Sequence, residues 1–480
     1  MRFISKLSFF AFPKGRVLLG FMAVLLTFPA CQNPTSTEDA PSTPGKEFQD
    51  LDITLASDFS SCLVGHILKE SNLTVKIRYT DGTLSSDLRM GIDYTTDWES
   101  IRSRPTPQTE GQQTQGEKFH VTYLGNGYTK ETSGTVMINL PVPYPETTTG
   151  ITGNLSTVAF NNGQWAAGGK NSSGESLVVK YNASSDSWST ISANTDTVPI
   201  TASGVGNGYF VFSYTFLDGA QTGIAYSNNL QQGRILITQP FITVGTSPND
   251  TSVAGFVSLS NSDIRGIAFG NDRFVAVGNN GLVARSNVTS PNTTPPASWE
   301  AATSVAPFYQ SGEINCVIHD GTRFIAGGKV GTAKIITSTD GFNWNELLIG
   351  NSNVSNSFFG NIKSMAYSPE YGYVLVSQPS ASTSYLAHTS RLDSAWTMVT
   401  SQDLMTASPA LVFNAVAYNG DGLFVAVGKS NKIAYSVDGV TWKLLPPLSV
   451  NAGTLQAIAH GNGKFVAVSS TAKIVSLKLP

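Results

Sequence analysis

The stretch Asn419 to Trp442, NGDGLFVAVGKSNKIAYSVDGVTW, constrains the fold more than any other part of the chain. It reads as a tight turn, a strand FVAVG, a second strand KIAYS, a polar loop and a tryptophan that opens another strand. Related units recur, and the aromatic that opens the FVAVG-like strand falls at Trp165, Phe210, Phe274, Phe324, Tyr373, Phe424 and Phe465, at intervals of 45, 64, 50, 49, 51 and 41 residues. Turns such as Asn162-Gly163, Asn207-Gly208, Asn271-Asp272, Asp320-Gly321 and Asn462-Gly463 precede these aromatics, because a tight hairpin requires positive φ. An apolar strand such as GIAF, AVAY or AIAH comes before each turn.

Turn-linked strands at this spacing predict four-stranded sheets, and a period of about 40–50 residues is that of propellers rather than helical solenoids. The predicted fold class is therefore all-β, a small β-sandwich over 48–145 followed by a seven-bladed β-propeller over 150–480. The composition agrees, with 45 Gly, 23 Pro and only 13% charged residues. Five of the seven tryptophans, Trp188, Trp299, Trp344, Trp396 and Trp442, fall at the start of the last strand of their repeats. A large aromatic recurring once per sheet predicts packing between neighbouring sheets. The seventh repeat reaches Pro480 after three strands, and an open edge there would invite association. A segment between about Val136 and Asn154 is expected to supply the missing strand.

Two repeats carry a sharper loop, Ser338-Thr339-Asp340-Gly341-Phe342-Asn343-Trp344 and Ser436-Val437-Asp438-Gly439-Val440-Thr441-Trp442. These resemble the Asp-box (BNR) repeat of sialidases and related propellers, one residue shorter between Asp and Gly than its usual form. The resemblance implies that Ser338, Asp340, Gly341 and Trp344, and likewise Ser436, Asp438, Gly439 and Trp442, are fold elements remote from any active site. The pattern also resembles propellers of the photosystem II assembly factor type.

Residues 1–30 have a basic start containing Arg2, Lys6, Lys14 and Arg16, then the apolar run VLLGFMAVLLTFPA, the layout of a secretory signal. Pro29-Ala30-Cys31 resembles the end of a bacterial lipoprotein signal peptide, although Phe28 and Pro29 depart from its tightest form. The resemblance implies a lipid on Cys31 and, with Gln32 next, an anchor in the outer membrane, facing outward or into the periplasm. Residues 31–47 read as a flexible tether. From 48 to 145, Leu73, Val75, Ile77 and Tyr79 alternate with polar residues, as do Phe119, Val121 and Tyr123, and Val136, Ile138 and Leu140. The phrases LTVKIRYTDGTL and GEKFHVTYLGNGYTKETSGTVMINL resemble bacterial immunoglobulin-like domains, which implies a spacer.

The net charge is -3, and beyond the signal 26 Lys and Arg face 33 Asp and Glu, with no basic cluster for nucleic acid. No catalytic, metal or cofactor-binding residues are predicted. Arg265, Arg273, Arg285, Arg323 and Arg391 follow no sialidase-like pattern. His319 and His460 occupy one slot, where other repeats place Phe160, Phe269, Tyr367 and Tyr418, so packing is expected of them rather than metal binding. Cys62 and Cys316 are expected as separate buried thiols rather than an interdomain bridge. Departures from the repeat, Ile235 to Ser262 and Asn287 to Ala297, are candidate binding loops. The reading is a monomeric, lipid-anchored envelope protein whose propeller binds a protein or glycan. A propeller-based glycosidase or lyase, and an assembly scaffold for an outer-membrane complex, remain open.

Overall fold

The computed structural model describes residues 46–104, 116–148, 150–191, 197–216, 222–228, 230, 263–287, 299–302, 308, 311–347, 360–399, 411–446, 448 and 451–478. The signal segment, Cys31, most of the tether, the loop 105–115 and nearly all of the two insertions lie outside these residues.

The repeats form seven sheets in chain order, each built outward from a first strand. Those first strands are Asn154–Asn161, Thr197–Gly206, Ile264–Gly270, Glu313–His319, Asn361–Ser368, Phe413–Tyr418 and Leu455–Gly461. Each packs against the next, and the last packs against the first, so the sheets close into a propeller. Hairpins link first to second strands through residues at positive φ, such as Asn162 and Gly163 at 47° and 78°, and Asn462 and Gly463 at 47° and 71°. Second strands are apolar on both faces because a sheet lies on either side. Phe424–Gly428 is buried throughout, and Arg273–Gly278 is buried from its second residue on.

Seven apolar clusters fill the seven gaps between neighbouring sheets. The recurrent tryptophans belong to them, each against the preceding sheet. Trp442 lies among Val374, Val376 and Leu386, Trp396 among Ile325 and Ile335, Trp344 among Val275 and Val277, and Trp188 among Val466, Val468 and Ile474. Trp299 packs on the second sheet and its indole N–H donates to the Tyr226 hydroxyl at 2.5 Å. Burying one such side chain removes about 150–250 Å² from water, roughly 4–6 kcal/mol as an upper bound.

The closing strand is where the sequence places it. Val142–Pro145 pairs antiparallel with Ile474–Lys478, completing the seventh sheet. Two residues later Thr147–Thr148 pairs in parallel with Ser187–Ile191 of the first sheet.

Before the propeller, three small sheets share one core. Phe48–Leu55 pairs with Leu73–Tyr79, Ser61–Leu63 pairs in parallel with Met137–Asn139, and Tyr94–Thr96, His120–Tyr123 and Thr129–Glu131 form a meander. Leu73, Val75, Ile77 and Tyr79 point inward, as their alternation requires. This core runs without a break into the cluster between the sixth and seventh propeller sheets.

The contact is specific. His66 Nδ1 lies 2.5 Å from the Asp421 carboxylate, which Lys69 also reaches at 3.1 Å. Arg102, 2% exposed, hydrogen-bonds the Gly65 carbonyl and the Tyr371 hydroxyl and is held by Glu99 at 2.6 Å. Gly422 sits at φ +86°, and a Cβ there would come within 1.9 Å of the Gly65 carbonyl. Asp421, Gly422 and Tyr371 all lie in turns that end a first strand. Through these contacts the N-terminal domain docks on the face of the propeller that carries the turns between first and second strands.

Candidate functional site

In every propeller sheet the pairing between first and second strand slips near the start of the first strand. The slip follows Leu155, Ile200, Ile264, Ile314, Ile362, Phe413 and Leu455. A bulge of this kind frees one residue from the ladder and re-aims its side chain. The residues that follow are Ser156, Thr201, Arg265, Asn315, Lys363, Asn414 and Gln456, all polar.

The last residue of the FVAVG-like strand has its explanation here. At the bulges of the first, third, fourth and sixth sheets the first-strand backbone presses against a second-strand glycine, whereas the fifth and seventh sheets place Ser377 and Ser469 at that register. A Cβ on Gly278 would meet the Asp263 carbonyl at 2.0 Å, and one on Gly428 the Val412 carbonyl at 1.9 Å, so only glycine fits there.

Six of the seven bulge residues, together with Gln378 and Thr454, line one cavity of about 450 Å³ at the centre of the ring. Side chains at or beside the bulges stitch each of the first six sheets to its successor. Ser156 donates to the Ile200 carbonyl at 2.5 Å, Thr201 to Ile264 at 2.5 Å, Asn315 to Ile362 at 2.8 Å and Asn414 to Leu455 at 2.8 Å. Where the fifth sheet places Lys363, Gln378 takes over, donating to the Phe413 carbonyl at 2.7 Å and to Asn414 Oδ1 at 2.8 Å.

The cavity is charged. Arg265 Nη1 reaches Glu313 at 3.0 Å and Asn315 Oδ1 at 2.7 Å, and Asn361 donates to Glu313 at 2.8 Å. Burial pushes the Glu313 carboxyl upward, but the Asn361 hydrogen bond and the charges of Arg265 and Lys363 outweigh it, so its pKa is lowered. Lys363 is half-buried and, among the described residues, makes no hydrogen bond or ion pair. Burial, aided by Arg265, lowers its pKa against the opposing pull of Glu313.

The Ser-x-Asp-Gly loops lie elsewhere. Ser338 Oγ donates to Asp340 at 2.9 Å and accepts from the Gly341 amide at 2.8 Å. Asp340 accepts from the amides of Phe342 and Asn343, and the Trp344 indole donates to the Gly341 carbonyl at 3.1 Å. Ser436, Asp438, Gly439 and Trp442 repeat the arrangement, with the Trp442 indole 2.9 Å from the Gly439 carbonyl. Ser338 pairs with Phe324 and Ser436 with Phe424, at the beginnings of second strands. These loops therefore occupy the face on which the N-terminal domain docks, and the cavity opens at the opposite ends of the strands.

The rings of His319 and His460 pack at a steep angle against Phe324 and Phe465, with centroids 4.8 and 4.9 Å apart, as Phe269 does against Phe274, so the slot is an aromatic packing position. Among the described residues no group of three His, Cys, Asp or Glu is placed to hold a metal. Cys62 and Cys316 are free and buried, and burial pushes both thiols up to about 12. Of the five arginines, only Arg265 enters the cavity. Arg285 pairs with Glu300, Arg323 with Asp320 and Arg391 with Asp393, while Arg273 reaches the Ser286 carbonyl.

The ring escapes sequence reasoning because its members share a position and not a chemistry. A signal exists: each polar residue directly follows a large apolar one, as in IRGIAF, INCVIH, IKSMAY, FNAVAY and LQAIAH.

No known protein family matches the sequence, and no curated protein matches it either. Similar solved structures are propellers. Virginiamycin B lyase from Staphylococcus aureus, in a catalytically inactive form with quinupristin, has a TM-score of 0.51 at 10% identity, covering 71% of this chain and 100% of that one. YCF48 bound to D1 peptide has a TM-score of 0.47 at 12% identity, covering 72% and 99%. YCF48 from Cyanidioschyzon merolae has 0.46 at 15%, covering 70% and 98%. Together with the closed ring of sheets, the likeness to the lyase identifies the chain as a β-propeller protein.

Proposed function

We propose that this chain is a binding protein of the bacterial envelope, held there by lipid on Cys31, with the N-terminal domain as an immunoglobulin-like spacer and the propeller engaging a protein or glycan partner. The observation that supports the binding site is the ring of bulged polar side chains around the central cavity. A bulge repeated in seven sheets places a polar group from six of them around a single cavity, and a rigid scaffold holds them there. Its volume of about 450 Å³ is that of a ligand site. Hydrolysis by a pair of carboxylates has little support. Among the described residues the one carboxylate at the cavity edge, Glu313, is already held by Arg265 and Asn361.

The test screens the purified chain against glycan and peptide arrays beside the double variant Thr454→Ala/Gln456→Ala, which leaves the charges and the inter-sheet hydrogen bonds in place. The expected result is a ligand that is retained unchanged after incubation and is lost with the variant at unaltered melting temperature. A ligand insensitive to the variant refutes the site, and a ligand chemically altered by the protein refutes a purely binding role. Intact mass of the protein extracted from membranes checks the lipid on Cys31.

A further inference from the structure

The free groups in the central cavity are unequal in kind. Asn315 and Asn414 are committed to neighbouring sheets, and Gln378 has only its oxygen left over. What remains uncommitted among the described residues is mostly donors: the Lys363 ammonium, the Nε and Nη2 groups of Arg265, the Gln456 amide and the Thr454 hydroxyl. Two cations and one carboxylate leave a local charge of about +1, which matches a monoanion better than a phosphate dianion. Among the described residues, those that line the cavity include no aromatic or aliphatic one, so none of them would receive an apolar side chain.

We propose that the cavity binds a sugar acid, its carboxylate held between Lys363 and Arg265 and its hydroxyls by Gln456, Gln378 and Thr454. The proposal rests on the binding role argued above and specifies its ligand. The carboxylate belongs either to a free sugar acid or to the terminal unit of an acidic polysaccharide, since both present the same group to the ring. Lys363 supplies the strongest contact because, among the described residues, it has no competing partner, and its stem is half-buried so that little freedom is lost on binding. Asn315 and Glu313 act by holding the Arg265 guanidinium in place.

The experiment is calorimetric titration of the full purified chain with methyl glucuronide, a glucuronate-terminated oligosaccharide, methyl glucoside, inorganic phosphate and an acidic peptide. Either sugar acid should bind, the oligosaccharide alone if the source is a polymer end, and the neutral glucoside should bind at least about tenfold more weakly. Lys363→Met should weaken the sugar acid by about tenfold to a hundredfold, and Lys363→Arg should restore part of the loss. Melting temperatures of both variants establish that they are folded, and Lys363→Gln replaces Lys363→Met if the latter is not. Equal affinity for glucoside and glucuronide, binding of phosphate or peptide alone, no binding of any probe at millimolar concentration, or indifference to Lys363→Met would each overturn the proposal. A neutral array ligand lost with Thr454→Ala/Gln456→Ala would overturn the sugar acid and leave the ring as the binding site. An array ligand insensitive to that variant would overturn both.

Discussion

The clasp formed by residues 142–148 joins the two ends of the propeller, and its strength is concentrated at Glu146. The Glu146 carboxylate lies 3.0 Å from Lys464 Nζ, with the side chains 7% and 13% exposed, respectively. Its amide donates to the Ile474 carbonyl at 2.8 Å, and the Lys464 ammonium sits 4.4 Å from the centroid of the Tyr181 ring in the first sheet. Glu146→Ala strands a largely buried cation. Breaking such a pair costs about 3–5 kcal/mol when nothing replaces it. Lys464 keeps the Tyr181 ring and some access to water, so the expected loss falls below that range, at about 2–3 kcal/mol. For a domain this large that is a fall of roughly 5 °C or more in melting temperature. The double variant Glu146→Ala/Lys464→Met removes the stranded charge and should recover about half of the loss. Calorimetric unfolding of the wild type, both single variants and the double variant gives the coupling directly. A Glu146→Ala loss below about 0.5 kcal/mol, or strictly additive variants, would refute the view of this pair as the seat of closure.

Three further outcomes are expected. Gly422→Ala, where φ is +86° and the new Cβ meets the Gly65 carbonyl, should release the N-terminal domain, seen as faster hydrogen exchange around residues 62–66 with the propeller unchanged. Burial raises the Asp320 carboxyl, but hydrogen bonds from Thr322, Tyr373 and the Arg323 amide outweigh it and bring it to about 2. Its folded value lies below its unfolded one, so its contribution of about 2 kcal/mol is complete above pH 4 and is lost as pH falls from about 4 to 2. Asp320→Asn should therefore lower the melting temperature at pH 6 and flatten its acid limb. Cys62 and Cys316, with thiols at about 12, should resist iodoacetamide at pH 8 in the native protein and take up two labels in denaturant, read by intact mass.

The frame of the fold was legible because its signals are local. An Asn-Gly turn, an aromatic opening an apolar strand and a tryptophan 18 residues later, as from Phe424 to Trp442, each require only neighbouring residues to be recognised. The closing strand was legible for a different reason, since the seventh repeat shows three strands where the pattern of the others requires four, and Val142–Pro145 is the strand that covers its edge. The cavity was not. Arg265 and Lys363 are 98 positions apart and share no motif, and what brings them together is the same one-residue slip in two first strands. The docking of the N-terminal domain was also hidden, because His66 and Asp421 are separated by 355 residues and no motif links them.

The placement of the N-terminal domain has a consequence for presentation. It grips the propeller through the turns of the fifth and sixth sheets, on the face that also carries the Ser-x-Asp-Gly loops. The N-terminal domain therefore lies on the far side from the ring of bulged side chains. A propeller tethered by that end would turn its closed back to the surface that holds it and aim the cavity outward like a dish. Ligand would then approach from open solvent, and the N-terminal domain would stand behind the dish without shading it.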